Sequence, residues 1–269
     1  NANILGLLSG LLLGAATNVF LTRGPWFVRL VSAGLAAAAM LTLRGSGSAT
    51  SLIFALVLTA GTVWLQFGRK DASTGLPARV VSGVFLMCLA GIAAVSFLPE
   101  TFLASTWLGV LGKSETLTGR TEVWAFGWQM FLQRPFFGYS FDSLASVLGG
   151  FYKGVGHLHN GYLDLLVRGG LVGIAIYLIA LLRAMYRLLQ MTARTPEAAF
   201  WFMFLVADLA YELAEASLMR PVHVIWLAFL IAATAAEKDR VFRRTAIASD
   251  ARVPDLARPP LVAFPNLLR

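Results

Sequence analysis

Charge is scarce in this 269-residue chain: Asp, Glu, Lys and Arg make up 13% of it, about half the share of a soluble domain, while 58% is hydrophobic. That imbalance excludes a single soluble core as the home of the apolar residues. Cysteine is scarcer still. The one thiol, Cys88, excludes a disulfide within the chain and says nothing about redox compartment. Acidic residues number 14 against 22 basic ones, a formal net charge of +8, yet the basic residues sit in short connections between apolar runs. A nucleic-acid binder concentrates them on one folded face, so no nucleic-acid partner is expected. The chain also lacks an initial methionine and a positively charged leader before its first apolar run. No signal-peptide pattern accounts for this, and the expectation is a missing amino-terminal part.

What is abundant is long apolar sequence. Runs extend from Ile4 to Phe20, Trp26 to Leu43, Thr50 to Phe67, Val80 to Leu98, Gly161 to Leu182, Phe200 to Met219 and Val222 to Ala236. Most are close to the roughly 20 residues that cross a bilayer as a helix. In hydrocarbon every backbone N–H and C=O must be paired within a helix or a closed barrel, and continuous apolar runs do not alternate as barrel strands do. The expected fold is therefore all-α: a polytopic transmembrane helical bundle of about seven spans. Its divisions are membrane helices in 1–98, a large loop in 99–158, membrane helices in 159–236 and a flexible tail in 237–269. Basic residues fall on alternate connections, at Arg23 and Arg29, at Arg69, Lys70 and Arg79, at Arg183, Arg187 and Arg194, and at Lys238, Arg240, Arg243 and Arg244. The positive-inside rule makes those connections cytoplasmic. Asn1 and the large loop are then outside and the tail inside.

The large loop mixes aromatics, glycines, charges and two histidines between membrane helices. Its eleven aromatics from Trp107 to Tyr152 are too many for a disordered segment, so it is expected to fold against the membrane surface. Trp124, Trp128 and Phe131 recur at i, i+4 and i+7, which predicts an interfacial helix over 121–133 with those three on its apolar face. Gln133-Arg134-Pro135 ends it, because the residue before proline disfavours helix. At its start Thr118 can cap the free amides and Glu122 suits the helix dipole. Exposed N–H groups together with Arg120 would suit a diphosphate; the alternative is that Arg120 pairs with Glu122 or with lipid headgroups.

Where the loop re-enters the membrane stands Gly156-His157-Leu158-His159-Asn160-Gly161-Tyr162-Leu163-Asp164. His159, Tyr162, Leu163 and Leu166 can share one face of the entering helix. A histidine, with an ordinary pKa of about 6.5, can take a proton from a hydroxyl nucleophile near neutral pH. His-x-His could also offer two metal ligands, but no cysteine or dense carboxylate cluster stands nearby to complete a site; a third reading has the histidines capping the helix or contacting headgroups. Gly169, Gly170 and Gly173 read as close helix packing. Asp208, Glu212 and Glu215 recur at helical spacing inside an apolar run, where ionisable groups are costly enough to be functional candidates; pairing of Glu215 with Arg168 or Arg220 is the structural alternative. Ser46, Ser48, Thr50 and Ser51, after Arg44, can cap the third span.

The ordered set Thr118-Gly119-Arg120-Thr121-Glu122-Val123-Trp124, then Arg134-Pro135-Phe136-Phe137-Gly138-Tyr139, then His159-Asn160-Gly161-Tyr162-Leu163 with Gly170 and Gly173, resembles the O-antigen ligase and polymerase superfamily. Asn3-Ile4-Leu5-Gly6, Ser46-Gly47-Ser48-Ala49-Thr50 and Glu215-Ala216-Ser217 are weaker echoes of its other elements. The resemblance covers most of residues 1–236. It implies a helical membrane glycosyltransferase that moves a glycan from a polyprenyl (undecaprenyl) diphosphate carrier to a hydroxyl of a glycan or lipid-core acceptor. The reaction would take place on the periplasmic side of a bacterial inner membrane, in lipopolysaccharide or exopolysaccharide biosynthesis, without nucleotide sugar or cofactor. It further implies Arg120 and His159 as catalytic residues, in an inverting reaction without a metal. Glu122, Arg134, His157, Asn160, Tyr162, Arg44 and Glu215 are the expected substrate-binding residues, with Glu122 and Tyr162 also able to orient Arg120 and His159. The family often carries arginine where Ala49 stands and an acidic residue where Arg168 stands. The competing class is a transporter or flippase of lipid-linked glycan, which would spread polar residues over several spans.

Overall fold

The computed structural model describes residues 2–22, 24–68, 116–139, 157–218, 220 and 223–234. The expected fourth span, Cys88, most of the large loop and the tail lie outside them. Seven helices and no strand occur among the described residues: α1 (Ala2–Leu21), α2 (Trp26–Ser46), α3 (Ala49–Gly68), α4 (Thr116–Gln133), α5 (Gly161–Thr192), α6 (Pro196–Tyr211) and α7 (Val224–Thr234). The chain is a multi-pass helical membrane protein. Four of these helices, α1, α2, α3 and α5, are long and apolar enough to cross a bilayer.

Local chemistry sets the helix ends. Gly47, at φ 61°, adopts the left-handed conformation that closes α2, and its N–H donates to the Arg44 carbonyl at 3.3 Å. Ser48 then caps α3, its Oγ accepting the Ser51 N–H at 3.3 Å, so the capping reading of the serines holds. Gly6, Gly10 and Gly14 form a stripe on α1 that lies against α3. A Cβ added at Gly14 would come within 2.6 Å of Leu58, which is the close approach that small residues permit between membrane helices. Polar side chains in these spans find each other: Ser9 bonds Thr42 at 2.7 Å and Gln66 donates to Asn18 at 2.5 Å.

The bundle has two chemically different ends. At one end Ser51 Oγ donates to the Asn3 carbonyl at 3.1 Å, the Asn3 amide donates to Glu215 at 2.8 Å, and the Gly161 N–H donates to the Glu212 carbonyl at 2.8 Å. These bonds gather the starts of α1, α3 and α5 with the chain that follows α6. The first turn of α2, with Arg29, and the end of α5, with Arg187 and Arg194, lie at the other end.

Three expectations about local structure need correction. The apolar run entered at Gly161 is not one straight helix. Gly170 breaks α5 with φ 63° and ψ −162°, a conformation essentially restricted to glycine. Tyr162 and Tyr177 both interact electrostatically with Asp208 on α6 and with each other. On a straight helix those tyrosines would be about 22 Å apart, so α5 bends sharply at the glycine. The limb 171–192 alone, at about 33 Å, has the length of a span. Into the break fits the segment after α4: Leu171 N–H donates to the Pro135 carbonyl at 2.7 Å, Val172 N–H to Phe136 at 3.1 Å, and Tyr139 N–H to Val167 at 2.9 Å. The glycines read as packing residues thus include a hinge.

The packed face of α4 also differs. Val123, Phe126, Met130 and Phe131 meet Leu158, Leu163, Leu166 and Val167, whereas Trp128 is half exposed. Gly127 turns the helix this way, because it lets Leu158 and Leu163 come to where a Cβ would sit, at 2.8 and 3.1 Å. The helix starts at Thr116, so Thr118 falls within its first turn instead of preceding it. Finally, α6 begins at Pro196 and ends at Tyr211, short of the expected run to Met219. The Glu212 carboxylate accepts the Ser217 N–H at 3.1 Å and its hydroxyl, curling the chain back. Asp208, Glu212 and Glu215 therefore do not share one helical face.

Candidate active site

His159 does not ride on the entering helix. It precedes the cap residue Asn160, whose side chain accepts the Leu163 N–H at 3.0 Å, and it holds φ 51° in the left-handed region. The consequence is a separation of the residues expected on one face. Tyr162 turns toward α6 and donates its hydroxyl to the Leu209 carbonyl at 2.8 Å, Leu163 and Leu166 pack on α4, and His159 faces the turn after α6. There its Nδ1 lies 3.6 Å from the Glu215 carboxylate, an ion-pair distance longer than a hydrogen bond. The His159 side chain retains 38% exposure against 10% for Glu215, so the imidazole is open to a substrate while the carboxylate is not.

His157 stacks edge-on beside it, with ring centroids 3.9 Å apart. Burial, reinforced by His159 and Arg220, lowers the His157 pKa from 6.5 to about 4. The ring is therefore neutral at the pH where a base must act. The linked effect on stability has a definite sign: between pH 6.5 and 4 the unfolded chain binds a proton that the folded one refuses, so stability falls as pH falls through that window. The thermal midpoint of the solubilised protein should drop between pH 6.5 and 4, and His157→Gln should flatten that slope. An equally steep slope in the variant would refute the assignment.

Asp164 is the structural centre of the site, buried to 1% exposure. It accepts Arg168 at 3.3 Å one turn along α5, Arg220 at 3.5 Å from the segment before α7, and the Leu158 N–H at 3.3 Å from the histidine loop. The arginines expected beside Glu215 are thus brought to Asp164. This also accounts for the charge at Arg168, because its acidic counterpart stands four residues earlier on the same helix. The Asn160 amide donates to the Leu213 carbonyl at 3.3 Å, tying the cap to the turn that carries Glu215.

The other expected site residues are placed as follows. Arg120 and Glu122 lie in α4, where only their backbone is described. Four residues on, the Trp124 indole N–H donates to the Leu158 carbonyl at 2.8 Å, between the two histidines. Arg134 stands over the Tyr139 ring at 4.7 Å, beside the α5 break. Arg44 is exposed in the last turn of α2, at the same end of the bundle as Asn3 and Glu215. Asp164, Arg220 and His223 had been given no part in the site. The Asp164–Arg168 spacing was readable as a helical ion pair; His223, which interacts electrostatically with Arg220 and Glu215, carried no local signal.

Against known proteins, a profile described as O-antigen ligase matches residues 8–178. The chain belongs to the O-antigen ligase family. That match holds α1 from Leu8 onward, α2, α3, α4, the histidine segment and α5 past its break, while Asn3 and the turn with Glu215 and Arg220 lie outside it. The chain is also 29% identical over 203 residues to the exopolysaccharide production protein ExoQ of Rhizobium meliloti (strain 1021). The alignment takes in 70% of this chain and 45% of that relative, so the chain spans less than half of its length.

Proposed function

We propose that this O-antigen ligase family protein transfers a glycan from an undecaprenyl diphosphate carrier to a hydroxyl of a glycan or lipid-core acceptor, on the periplasmic face of a bacterial inner membrane. The observation that carries it is the placement of His159: half-exposed, outside the helix, beside an ionisable partner, at the end of the bundle remote from Arg187 and Arg194. The positive-inside rule assigns the end that carries Arg187 and Arg194 to the cytoplasm, which leaves the end with His159 on the periplasmic side. His159 takes the proton of the acceptor hydroxyl, whose oxygen attacks the anomeric carbon. The bond to the diphosphate breaks with inversion, and the carrier leaves with the electron pair. Arg120 meets the growing phosphate charge. Its backbone position supports this, since it precedes Trp124 by one turn, about 6 Å along α4, and Trp124 is bonded to the histidine segment. His157, Asn160, Tyr162, Glu122, Arg134 and Arg44 shape the surrounding site.

The test is transfer by full-length protein in proteoliposomes given a labelled undecaprenyl-diphosphate oligosaccharide, with and without acceptor. Product as a ladder on the carrier marks a polymerase, and product on a second molecule marks a ligase. Movement of the carrier across the bilayer without transfer would replace this reading with the flippase one. No metal takes part in the mechanism, so a chelator should leave the rate unchanged; loss restored by an added divalent ion would overturn that point.

A further inference from the structure

Glu215 is an expected substrate-binding residue whose surroundings support a different role. Its carboxylate has two oxygens with two different neighbours. One accepts the Asn3 side-chain amide at 2.8 Å, and the other faces His159 Nδ1 at 3.6 Å. The Asn3 backbone is itself tied down, its carbonyl accepting the Ser51 hydroxyl at 3.1 Å, and Ser51 sits in the capping turn of α3. Ser51 and Glu215 are buried and Asn3 is partly so, and the contacts run from the α1–α3 seam to the base.

We infer that Asn3 and Glu215 are positioning residues for His159: Asn3 fixes the Glu215 carboxylate so that it faces Nδ1, leaving Nε2 as the nitrogen that takes the acceptor's proton. The physics follows from charge. A carboxylate on the Nδ1 side favours the tautomer protonated there and stabilises the imidazolium formed when Nε2 accepts its proton. A side chain free to rotate would do so only part of the time, and the Asn3 amide removes that freedom. Among the described residues, the other charged or titratable groups around the His159–Glu215 pair include His157 on its own loop, Asp164 and Arg168 on α5, Tyr211 at the end of α6, and Glu212, Arg220 and His223 on the chain after it. Of the carboxylates among these described residues, Glu215 is the one at ion-pair distance from His159. The contact joins residues 212 apart in sequence.

The inference rests on the transferase reading, and its test separates the two. Steady-state transfer of a labelled undecaprenyl-diphosphate oligosaccharide is followed for the full-length protein, Glu215→Gln and Asn3→Leu. Both replacements are close to isosteric. Glu215→Gln should lower kcat about tenfold and Asn3→Leu about threefold, with KM within about twofold, because the imidazolium they help forms only as the reaction proceeds. Glu215→Gln carries the test alone if Asn3→Leu does not accumulate. A raised KM at unchanged kcat would make Glu215 a substrate contact and overturn the inference, as would a parent kcat in Glu215→Gln. If His159→Ala transfers at the parent rate, the transferase reading itself has failed.

Discussion

Full-length protein carrying His159→Ala should transfer glycan about 10²–10⁴-fold more slowly than the parent, the usual cost of removing a positioned general base. Its remaining activity should rise with pH, because hydroxide can then do part of what the imidazole did, and donor binding should be little changed. Arg120→Ala should cost at least as much. One well-placed donor on a charge that grows in the transition state is worth roughly 3–4 kcal/mol, or 10²–10³ in rate. Arg120→Lys should recover only part of this, since an ammonium keeps the charge but not the forked contact that suits a diphosphate. The two variants differ in what they disturb. In the proposed mechanism Arg120 holds the carrier in the ground state as well, so its loss should also raise KM, whereas His159→Ala should act mainly on kcat. Parent rates from both variants in correctly folded protein would defeat the mechanism.

How far these residues could be read beforehand depended on the distance over which they act. Local signals survived: Ser48 caps α3, and α4 ends at Gln133 just ahead of Pro135. The helical class followed from hydropathy because lipid removes almost every alternative for the backbone. Features that depend on a distant partner did not show. The α4 stripe of Trp124, Trp128 and Phe131 has sound helical periodicity, but the packed face was chosen by Gly127, whose missing side chain receives Leu158 and Leu163. Glu215 was read as a possible partner for Arg168 or Arg220, while one of its hydrogen-bond donors, Asn3, comes from the other end of the chain. The break in α5 was hidden for a different reason. Residues 161–182 read as one apolar run, and hydropathy does not register a glycine that is bent; only Asp164 and Arg168, two charges within the first ten residues of the run, hint that this limb belongs to the site and not to the lipid.

That break carries the second large prediction: Gly170→Ala should leave little folded protein in the membrane. Two costs fall on the same atom. The φ of 63° with ψ of −162° is open to glycine alone, and holding another residue there costs about 1–3 kcal/mol. The new Cβ would also sit 2.3 Å from the Phe136 carbonyl oxygen, a backbone atom that cannot swing aside without breaking the bonds from Leu171 and Val172. Each such bond left unmade in a buried setting costs about 1–3 kcal/mol more. The sum is a large fraction of the 5–15 kcal/mol that holds a typical protein folded. Gly138→Ala should fail in the same way from the other side, because Gly138 has φ 66° and its Cβ would meet the Arg168 carbonyl at 2.5 Å. Gly34→Ala is the matched control: nothing lies within 4 Å of its Cβ, and alanine suits the middle of α2 better than glycine. Membrane abundance and the thermal midpoint in detergent are the measurements. Near-parent values for Gly170→Ala would mean that the segment 135–139 does not sit in a bend of α5, and the separation of that helix into a spanning limb and a limb that carries the site would have to be abandoned.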